Sequence, residues 1–137
     1  MTDDAKLRSI LENNKRIAVL GAHDDSAKPA HYVPEYLATH GYNVVGVNPK
    51  LAGTTLFGNP VVATLADLTS PVDLVNVFRA SRWLAGHLAE FVAMNPRPKV
   101  VWLQLGVADA AFAAALHKLG ITVVSDRCTL AEHRRLL

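Results

Sequence analysis

The sequence predicts an α/β fold in which helices cover both faces of a parallel sheet. Two observations carry this prediction: five short apolar runs recur along the chain, and helical spacing of apolar residues fills three of the four intervals between them. Strands that alternate with helices form parallel βαβ units with right-handed crossovers. We therefore expect a doubly wound, five-stranded parallel sheet in three layers, with the predicted strands in the spatial order 3-2-1-4-5.

The five predicted strands are compact, mostly apolar runs rather than alternating patterns, and the third run contains two polar residues, Asp73 and Asn76. They cover residues 17–20, 44–47, 72–78, 100–103 and 121–124. Continuous runs are typical of parallel strands that are buried on both faces. The interval 49–71, between the second and third runs, carries turn residues and no helical pattern, so we expect an irregular surface excursion there.

Helical spacing of apolar residues predicts five helices. In chain order they lie at about residues 7–11, 31–40, 83–92, 112–119 and 131–136. Ser81 and Asp109 stand where helix N-caps are expected, because their side chains can accept from free backbone N–H groups. Gly41 and Gly120 stand where helices commonly end in a left-handed residue.

Composition and charge restrict the kind of protein. The 137 residues are 50% hydrophobic and 19% charged, enough for one core, so we expect a single domain over residues 1–137. A net charge of +2 is too weak to indicate duplex nucleic acid as a partner. The longest apolar stretch, 110–116, is far shorter than the ~20 residues of a membrane span. With a single cysteine, Cys128, and no secretion signal, we expect a cytoplasmic protein without a membrane partner.

Candidate binding residues follow the predicted strands. Ligands of open α/β sheets bind beyond the carboxyl ends of the strands, near the point where the strand order reverses. Four cations fall in the segments that this rule selects: Lys28, Lys50, Arg79 and Arg127. Cations beside the positive end of a helix, here the one predicted near residue 31, attract phosphate. The sequence therefore predicts a phosphate-binding crevice at this edge of the sheet.

The loop after the first strand departs from the common dinucleotide motif. It keeps Gly21 but lacks the other glycines of Gly-x-Gly-x-x-Gly. The second strand ends at Asn48-Pro49-Lys50, with no carboxylate to bind the ribose hydroxyls of NAD. A neutral side chain followed by a cation suits a ligand with an additional phosphate, so NAD is the weaker hypothesis. The lack of Gly-x-x-x-x-Gly-Lys-Ser/Thr also disfavours a P-loop ATPase.

Several motifs carry a family resemblance. They are Lys28-Pro29, Val47-Asn48-Pro49, Val77-Phe78-Arg79, Trp102-Leu103-Gln104-Leu105-Gly106 and Asp126-Arg127-Cys128. With these motifs nearly the whole chain resembles the small stand-alone bacterial CoA-binding proteins. Residues 49–55 and 58–61 more distantly resemble the CoA-binding N-terminal domain of the succinyl-CoA synthetase α subunit. The resemblance implies a Rossmann-like fold that binds coenzyme A.

The resemblance also implies which residues contact the coenzyme. The first loop of the family meets the nucleotide phosphates, and it corresponds here to Gly21, Ala22, His23, Ser26 and Lys28. The synthetase lysine that contacts the cofactor is matched by Lys50, one position out of register and next to Asn48 and Pro49. The adenine side maps to Val77, Phe78 and Arg79, and the segment after the fourth strand maps to Gln104 and Leu105.

We expect a protein that binds coenzyme A or an acyl-CoA and has no catalysis of its own. A second hypothesis is an acyl-transfer subunit that uses Cys128 with His133, because a thiol and imidazole pair can accept an acyl group. A third is a sensor of NAD or another nucleotide. A homo-oligomer or a partner enzyme subunit stays open. The remaining helical histidines, His40, His87 and His117, are interpreted as surface or boundary residues.

Overall fold

A computed structural model describes residues 3–137. The main sheet consists of β1 (Arg16–Leu20), β2 (Asn43–Val47), β5 (Leu74–Val77), β6 (Val100–Leu103) and β7 (Thr122–Val124), and a small hairpin consists of β3 (Thr55–Leu56) and β4 (Asn59–Pro60). The α-helices are α1 (Asp4–Asn13), α2 (Pro29–Ala38), α3 (Leu88–Ala93), α4 (Ala110–Lys118) and α5 (Thr129–Leu136). Two 3-10 segments, Leu65–Asp67 and Ser81–His87, precede β5 and α3 respectively. The α/β fold class is confirmed.

The strand order differs from the predicted one. All five strands of the main sheet are parallel, in the order β2-β1-β5-β6-β7. In the numbering of the predicted strands this order is 2-1-3-4-5, so the predicted 3-2-1-4-5 is wrong. The third predicted strand pairs with the first, on the side opposite the second, and Leu20 lies level with both Val47 and Val77.

The edge of β2 that faces away from β1 explains why the predicted strand order is wrong. Val62 forms a parallel bridge with Val47, and its backbone N–H donates to Gly46 O at 3.1 Å. The hairpin of β3 and β4 also packs against β2. Because the chain between β2 and β5 covers that edge itself, the position that the prediction gave to the third strand is already occupied.

Helices pack on both faces of the sheet, which confirms the three layers. Along β1, Ala18 and Leu20 contact one core cluster while Ile17 and Val19 contact the other. The first cluster includes side chains of the Ser81–His87 segment, α3 and α4, namely Leu84, Phe91, Phe112 and Leu116. The second includes Leu7, Ile10 and Leu11 of α1, Leu37 of α2 and, at its edge, Leu136 of α5. No helix of residues 3–137 is long and apolar enough to cross a membrane.

An ion pair joins the starts of the two central strands. Asp73, just before β5, accepts from the backbone N–H and the guanidinium of Arg16, with an Nη2–Oδ1 distance of 2.8 Å. This side-chain hydrogen bond, together with the backbone bond and the charge of Arg16, holds the pKa of Asp73 below its ordinary value. The amino ends of β1 and β5 are thereby fixed beside each other.

Candidate functional site

A cavity of about 380 Å³ opens at the carboxyl ends of β1, β2 and β5. It is lined by Leu20, Gly21, Val47, Asn48, Pro49, Lys50, Ala63, Thr64, Arg79, His87 and Glu90. The structure thus brings together five of the residues singled out in the sequence: Gly21, Asn48, Pro49, Lys50 and Arg79. The cavity lies where the strand order reverses, which is the usual ligand position in open α/β sheets.

Gly21 ends β1 at a point where the chain has no room for a side chain. Its φ is 88°, and a Cβ there would lie 3.0 Å from Phe78 O and 3.2 Å from Arg79 Cδ. Its N–H donates to Val47 O at 2.9 Å. The close approach of the segments after β1 and β5 therefore requires glycine at this position.

Asn48 joins the loops that follow β1 and β2. Its Nδ2 donates to Ala22 O at 2.8 Å, and its Oδ1 accepts from Lys50 N at 2.9 Å. Both ends of the amide are therefore engaged within the protein, and Ala22 itself has no exposed surface. Asn48 therefore holds the two loops of the cavity wall together, while the exposed Lys50 provides the positive charge.

Arg79, His87 and Glu90 form a chain of hydrogen bonds along one wall. Arg79 Nε donates to His87 Nε2 at 3.3 Å, and His87 Nδ1 lies 2.8 Å from Glu90 Oε1. Because Nε2 accepts, the imidazole proton must be on Nδ1, where it is donated to the carboxylate. The other carboxylate oxygen, Glu90 Oε2, accepts from Leu65 N at 3.0 Å.

The sequence did not single out Thr64, His87 or Glu90 as site residues. His87 was interpreted as a surface or boundary residue, but its side chain is only 18% exposed and lines the cavity. The three-residue spacing of His87 and Glu90 is the signal that could have indicated a pair on one helical face. Nothing in the sequence indicates that this pair faces Arg79.

The predicted loop residues His23, Ser26 and Lys28 lie outside the cavity lining and are exposed. The loop is stabilised by its own side chains: His23 Nδ1 accepts from Asp25 N at 2.9 Å, and His31 Nδ1 lies 2.9 Å from His23 O. Lys28 is the N-cap residue of α2 and makes no side-chain capping bond. The loop is joined to the start of α2 by the backbone N–H of His23, which donates to Ala30 O at 3.2 Å.

The structure does not bring the remaining predicted residues to the cavity. Val77 is fully buried, and Phe78 packs at the edge of a core cluster. Gln104 is 5% exposed, and its Oε1 accepts from Asn76 Nδ2 at 3.1 Å. Leu105, by contrast, is 69% exposed. Arg127, the fourth predicted cation, pairs with Glu132 at 3.3 Å.

Cys128 and His133 do not form a hydrogen-bonded pair within the described residues. His133 Nδ1 instead lies 2.8 Å from Tyr36 Oη, and its ring packs edge-on against Tyr42. Burial, followed by the nearby His40 and Lys15, lowers the pKa of His133. The imidazole is therefore committed to the contact between α2 and α5.

A second cavity, of about 320 Å³, lies near the amino end of β5. Its lining includes Leu65, Leu68, Val72 and Met94, and it shares Glu90 with the first cavity. Among residues 3–137, no three His, Cys, Asp or Glu side chains are grouped in a way that could hold a metal ion. Of these two cavities, the first is the one whose lining contains cations.

The fold and the position of the first cavity define a Rossmann-like α/β protein. The profile of the CoA binding domain family matches residues 15–134, so the chain belongs to the CoA-binding domain family.

The chain is also similar to proteins of nearly the same length. The chain is 33% identical over 129 residues to the protein YneT of Bacillus subtilis (strain 168), covering 94% of this chain and 93% of YneT. A solved structure from Thermus thermophilus, cell-free ID.343, is 50% identical with a TM-score of 0.94, covering 98% of this chain and 99% of that one. A structure from Pyrococcus horikoshii OT3 is 28% identical with a TM-score of 0.84, covering 98% and 92% of the two chains.

Proposed function

We propose that the protein binds coenzyme A or an acyl-CoA in the cavity at the carboxyl ends of β1, β2 and β5, without catalysis of its own. The observation that carries the proposal is the pair of cations, Lys50 and Arg79, in one cavity. Neither forms an ion pair with any residue of the range 3–137. Glu90, the acidic residue of the lining, is hydrogen-bonded to His87 and to the backbone N–H of Leu65. The two cations therefore keep free donors at the cavity, which favours an anionic ligand.

The chemistry of coenzyme A fits this arrangement. The coenzyme carries a pyrophosphate and a ribose phosphate, which require several donors and cations, and an adenine, which requires a partly apolar space. Lys50 and Arg79 supply the charge, and Leu20, Val47 and Pro49 supply apolar lining. Ser26 and Lys28, at the exposed start of α2, are further donors for the pyrophosphate.

The alternatives have less support in the site. NAD binding favours a carboxylate after β2, and the structure has the neutral amide of Asn48 there, hydrogen-bonded at both ends within the protein. Acyl transfer through Cys128 requires an adjacent base, and His133 is hydrogen-bonded to Tyr36 instead. The first alternative predicts that NAD raises the Tm, and the second predicts that Cys128 is alkylated rapidly.

Thermal unfolding with a panel of ligands tests the proposal. A ligand that binds only the folded protein stabilises it by about 2.7 kcal/mol at a hundredfold excess over Kd. We expect CoA and acetyl-CoA to raise the Tm and NAD and ATP to raise it much less. Lys50→Ala should reduce the CoA effect, and Lys6→Ala, an exposed lysine of α1 outside the cavity lining, should not.

Two results would contradict the proposal. A Tm raised equally by NAD and CoA would indicate a general nucleotide cleft, and a Tm that no ligand changes would indicate that the domain has another role. Rapid alkylation of Cys128 by iodoacetamide at neutral pH would favour the acyl-transfer alternative, because a reactive thiolate is alkylated far faster than a packed thiol.

A further inference from the structure

We propose that His87 and Glu90 are positioning residues that orient Arg79 to bind the phosphate monoester on the ribose of the coenzyme. This inference rests on the proposed function and assigns one part of the ligand to one part of the cavity. Its basis is the chain of hydrogen bonds from Arg79 through His87 to Glu90.

The contact with His87 fixes the direction of the Arg79 side chain, whose guanidinium carbon also lies 5.9 Å from the centre of the Trp83 ring. Arg79 donates to the imidazole through Nε, and its two terminal nitrogens make no hydrogen bond to residues 3–137. A guanidinium held at Nε keeps its terminal N–H groups in a fixed fork, which matches the oxygens of a phosphate. His87 therefore sets the orientation, and Arg79 keeps the donors that a ligand needs.

Glu90 joins this series of hydrogen bonds to the backbone next to Thr64, another residue of the cavity lining. One carboxylate oxygen accepts from His87 and the other accepts from the backbone N–H of Leu65, at 2.8 and 3.0 Å. Leu65 begins the 3-10 turn whose preceding residue, Thr64, lines the same cavity and shares a capping box with Asp67. Because both oxygens are engaged, the imidazole cannot rotate without breaking a second contact.

The order of the three groups preserves the charge of Arg79. A carboxylate in direct contact with the guanidinium would offset its positive charge. Here a neutral imidazole, which accepts at Nε2 and donates at Nδ1, stands between Arg79 and Glu90. Arg79 and Lys50 thus provide two positive charges to a cavity that also contains the carboxylate of Glu90. Because both oxygens of that carboxylate are hydrogen-bonded within the protein, the N–H groups of Arg79 and Lys50 are the charged groups left to bind a phosphate monoester.

The pyrophosphate of the coenzyme has a different set of donors. Ser26 and Lys28 lie at the start of α2 and outside the lining of this cavity. A hydroxyl and an ammonium group beside the positive end of a helix suit the pyrophosphate of a nucleotide. The phosphate monoester is then the group that remains for Arg79 and Lys50, which makes dephospho-CoA the informative comparison.

Calorimetric titrations at one salt concentration test the inference. They compare CoA with dephospho-CoA for the wild type, Arg79→Ala, His87→Ala and the double variant. We expect each single variant to bind CoA about tenfold or more weakly than the wild type, because each loses a charge-assisted contact or its orientation. The affinity for dephospho-CoA should change by less than about twofold, since this ligand lacks the phosphate monoester that Arg79 contacts.

Two features of these titrations separate positioning from a general structural role. The double variant should bind CoA no more weakly than Arg79→Ala alone, because His87 acts through Arg79. His87→Gln should retain more affinity than His87→Ala, because the glutamine oxygen can accept from Arg79 Nε. His117→Ala, on the exposed end of α4, is the matched control and should change neither ligand.

Nitrogen-15 spectra of the ligand-free protein test the same chain independently. We expect a neutral His87 with its proton on Nδ1, and we expect Glu90→Gln to shift the signals of His87 and of Arg79 Nε. A proton on Nε2 would overturn the chain, since that nitrogen could not then accept from Arg79.

The outcomes distinguish this inference from the proposed function. If Arg79→Ala weakens CoA and His87→Ala does not, the positioning role is wrong while CoA binding stands. If Arg79→Ala weakens CoA and dephospho-CoA equally, the assignment to the phosphate monoester is wrong. If the wild type binds neither ligand, the proposed function fails and this inference fails with it.

Discussion

Gly21 is the residue at which backbone conformation and packing act together. Its φ of 88° and the 3.0 Å approach of Phe78 O both exclude a side chain. Gly53 has the same φ of 88° but open space around it, so it isolates the conformational part of the effect.

We predict that Gly53→Ala lowers the free energy of unfolding by about 1 kcal/mol, the usual cost of a left-handed residue. Gly21→Ala should lower it by about 3 kcal/mol or more, because the backbone of Phe78 must also move. Chemical denaturation of both variants measures the two values. Equal losses would contradict the close packing of the segments after β1 and β5.

Asn76 is the centre of a buried polar network. Its Nδ2 donates to Trp102 O at 3.2 Å and to Gln104 Oε1 at 3.1 Å, and its Oδ1 accepts from Thr129 Oγ1 at 3.0 Å. These bonds join β5, β6 and the first residue of α5.

We predict that Asn76→Asp lowers the free energy of unfolding by about 3 kcal/mol, because a carboxylate would face two acceptor oxygens without exposure to water. Asn13→Asp, at an exposed position of α1, is the matched control and should cost only about 0.5 kcal/mol. Denaturation at neutral pH compares them. A loss as small as that of the control would mean that the network does not hold α5.

Part of the site was predictable at the residue scale. Arg79 directly follows its predicted strand and Lys50 is the third residue after its own, so the rule for parallel sheets placed both at one edge. His87 and Glu90 were not predictable, because their role depends on how the Ser81–His87 segment and α3 pack beside β5. Gln104 follows a strand as Arg79 does, but its side chain faces the interior, a direction that sequence position alone does not determine.

At the scale of elements, the contact of α5 with α2 depends on a neutral imidazole. His133 in α5 is hydrogen-bonded to Tyr36 in α2, and its ring lies 5.5 Å from that of His40. Burial, His40 and Lys15 lower its pKa below the ordinary 6.5. Because the folded protein binds this proton less readily than the unfolded chain, the stabilisation is present above pH 6.5 and is lost as the pH falls through the lowered pKa.

We therefore predict that the free energy of unfolding falls between about pH 7.5 and about pH 5.5 in the wild type. The fall should be smaller in His133→Gln, which has no titrating group at this position. Urea denaturation at the two pH values measures the fall in the free energy of unfolding for both proteins. An equal fall in the variant would show that other groups cause the pH dependence of the free energy of unfolding.

The elements also show where sequence reasoning reached its limit. Most helices and strands were predictable because capping residues such as Asp109 and compact apolar runs act locally. The predicted N-cap Ser81 is wrong: it is the first residue of a 3-10 segment, and the α-helix begins only at Leu88. The strand order was not, since it depends on the bridge between Val47 and Val62 that covers the edge of β2. That bridge lies in the interval without helical spacing, where the local pattern does not define the path of the chain.

At the scale of the whole molecule, two cavities compete as the ligand site. The first has Lys50 and Arg79 and lies at the carboxyl ends of the strands, whereas the second is lined mainly by small and apolar side chains such as Leu68 and Met94. Membership of the CoA-binding domain family favours an anionic ligand and hence the first cavity. We propose that coenzyme A occupies this first cavity.

The most direct test is a titration of the nitrogen-15-labelled protein with CoA, followed through the backbone amide signals. We predict saturable shifts at Gly21, Lys50, Thr64 and Arg79, which surround the first cavity. Shifts centred instead on Leu68, Ser70 and Ala93, around the second cavity, would contradict the account, as would a spectrum that CoA leaves unchanged.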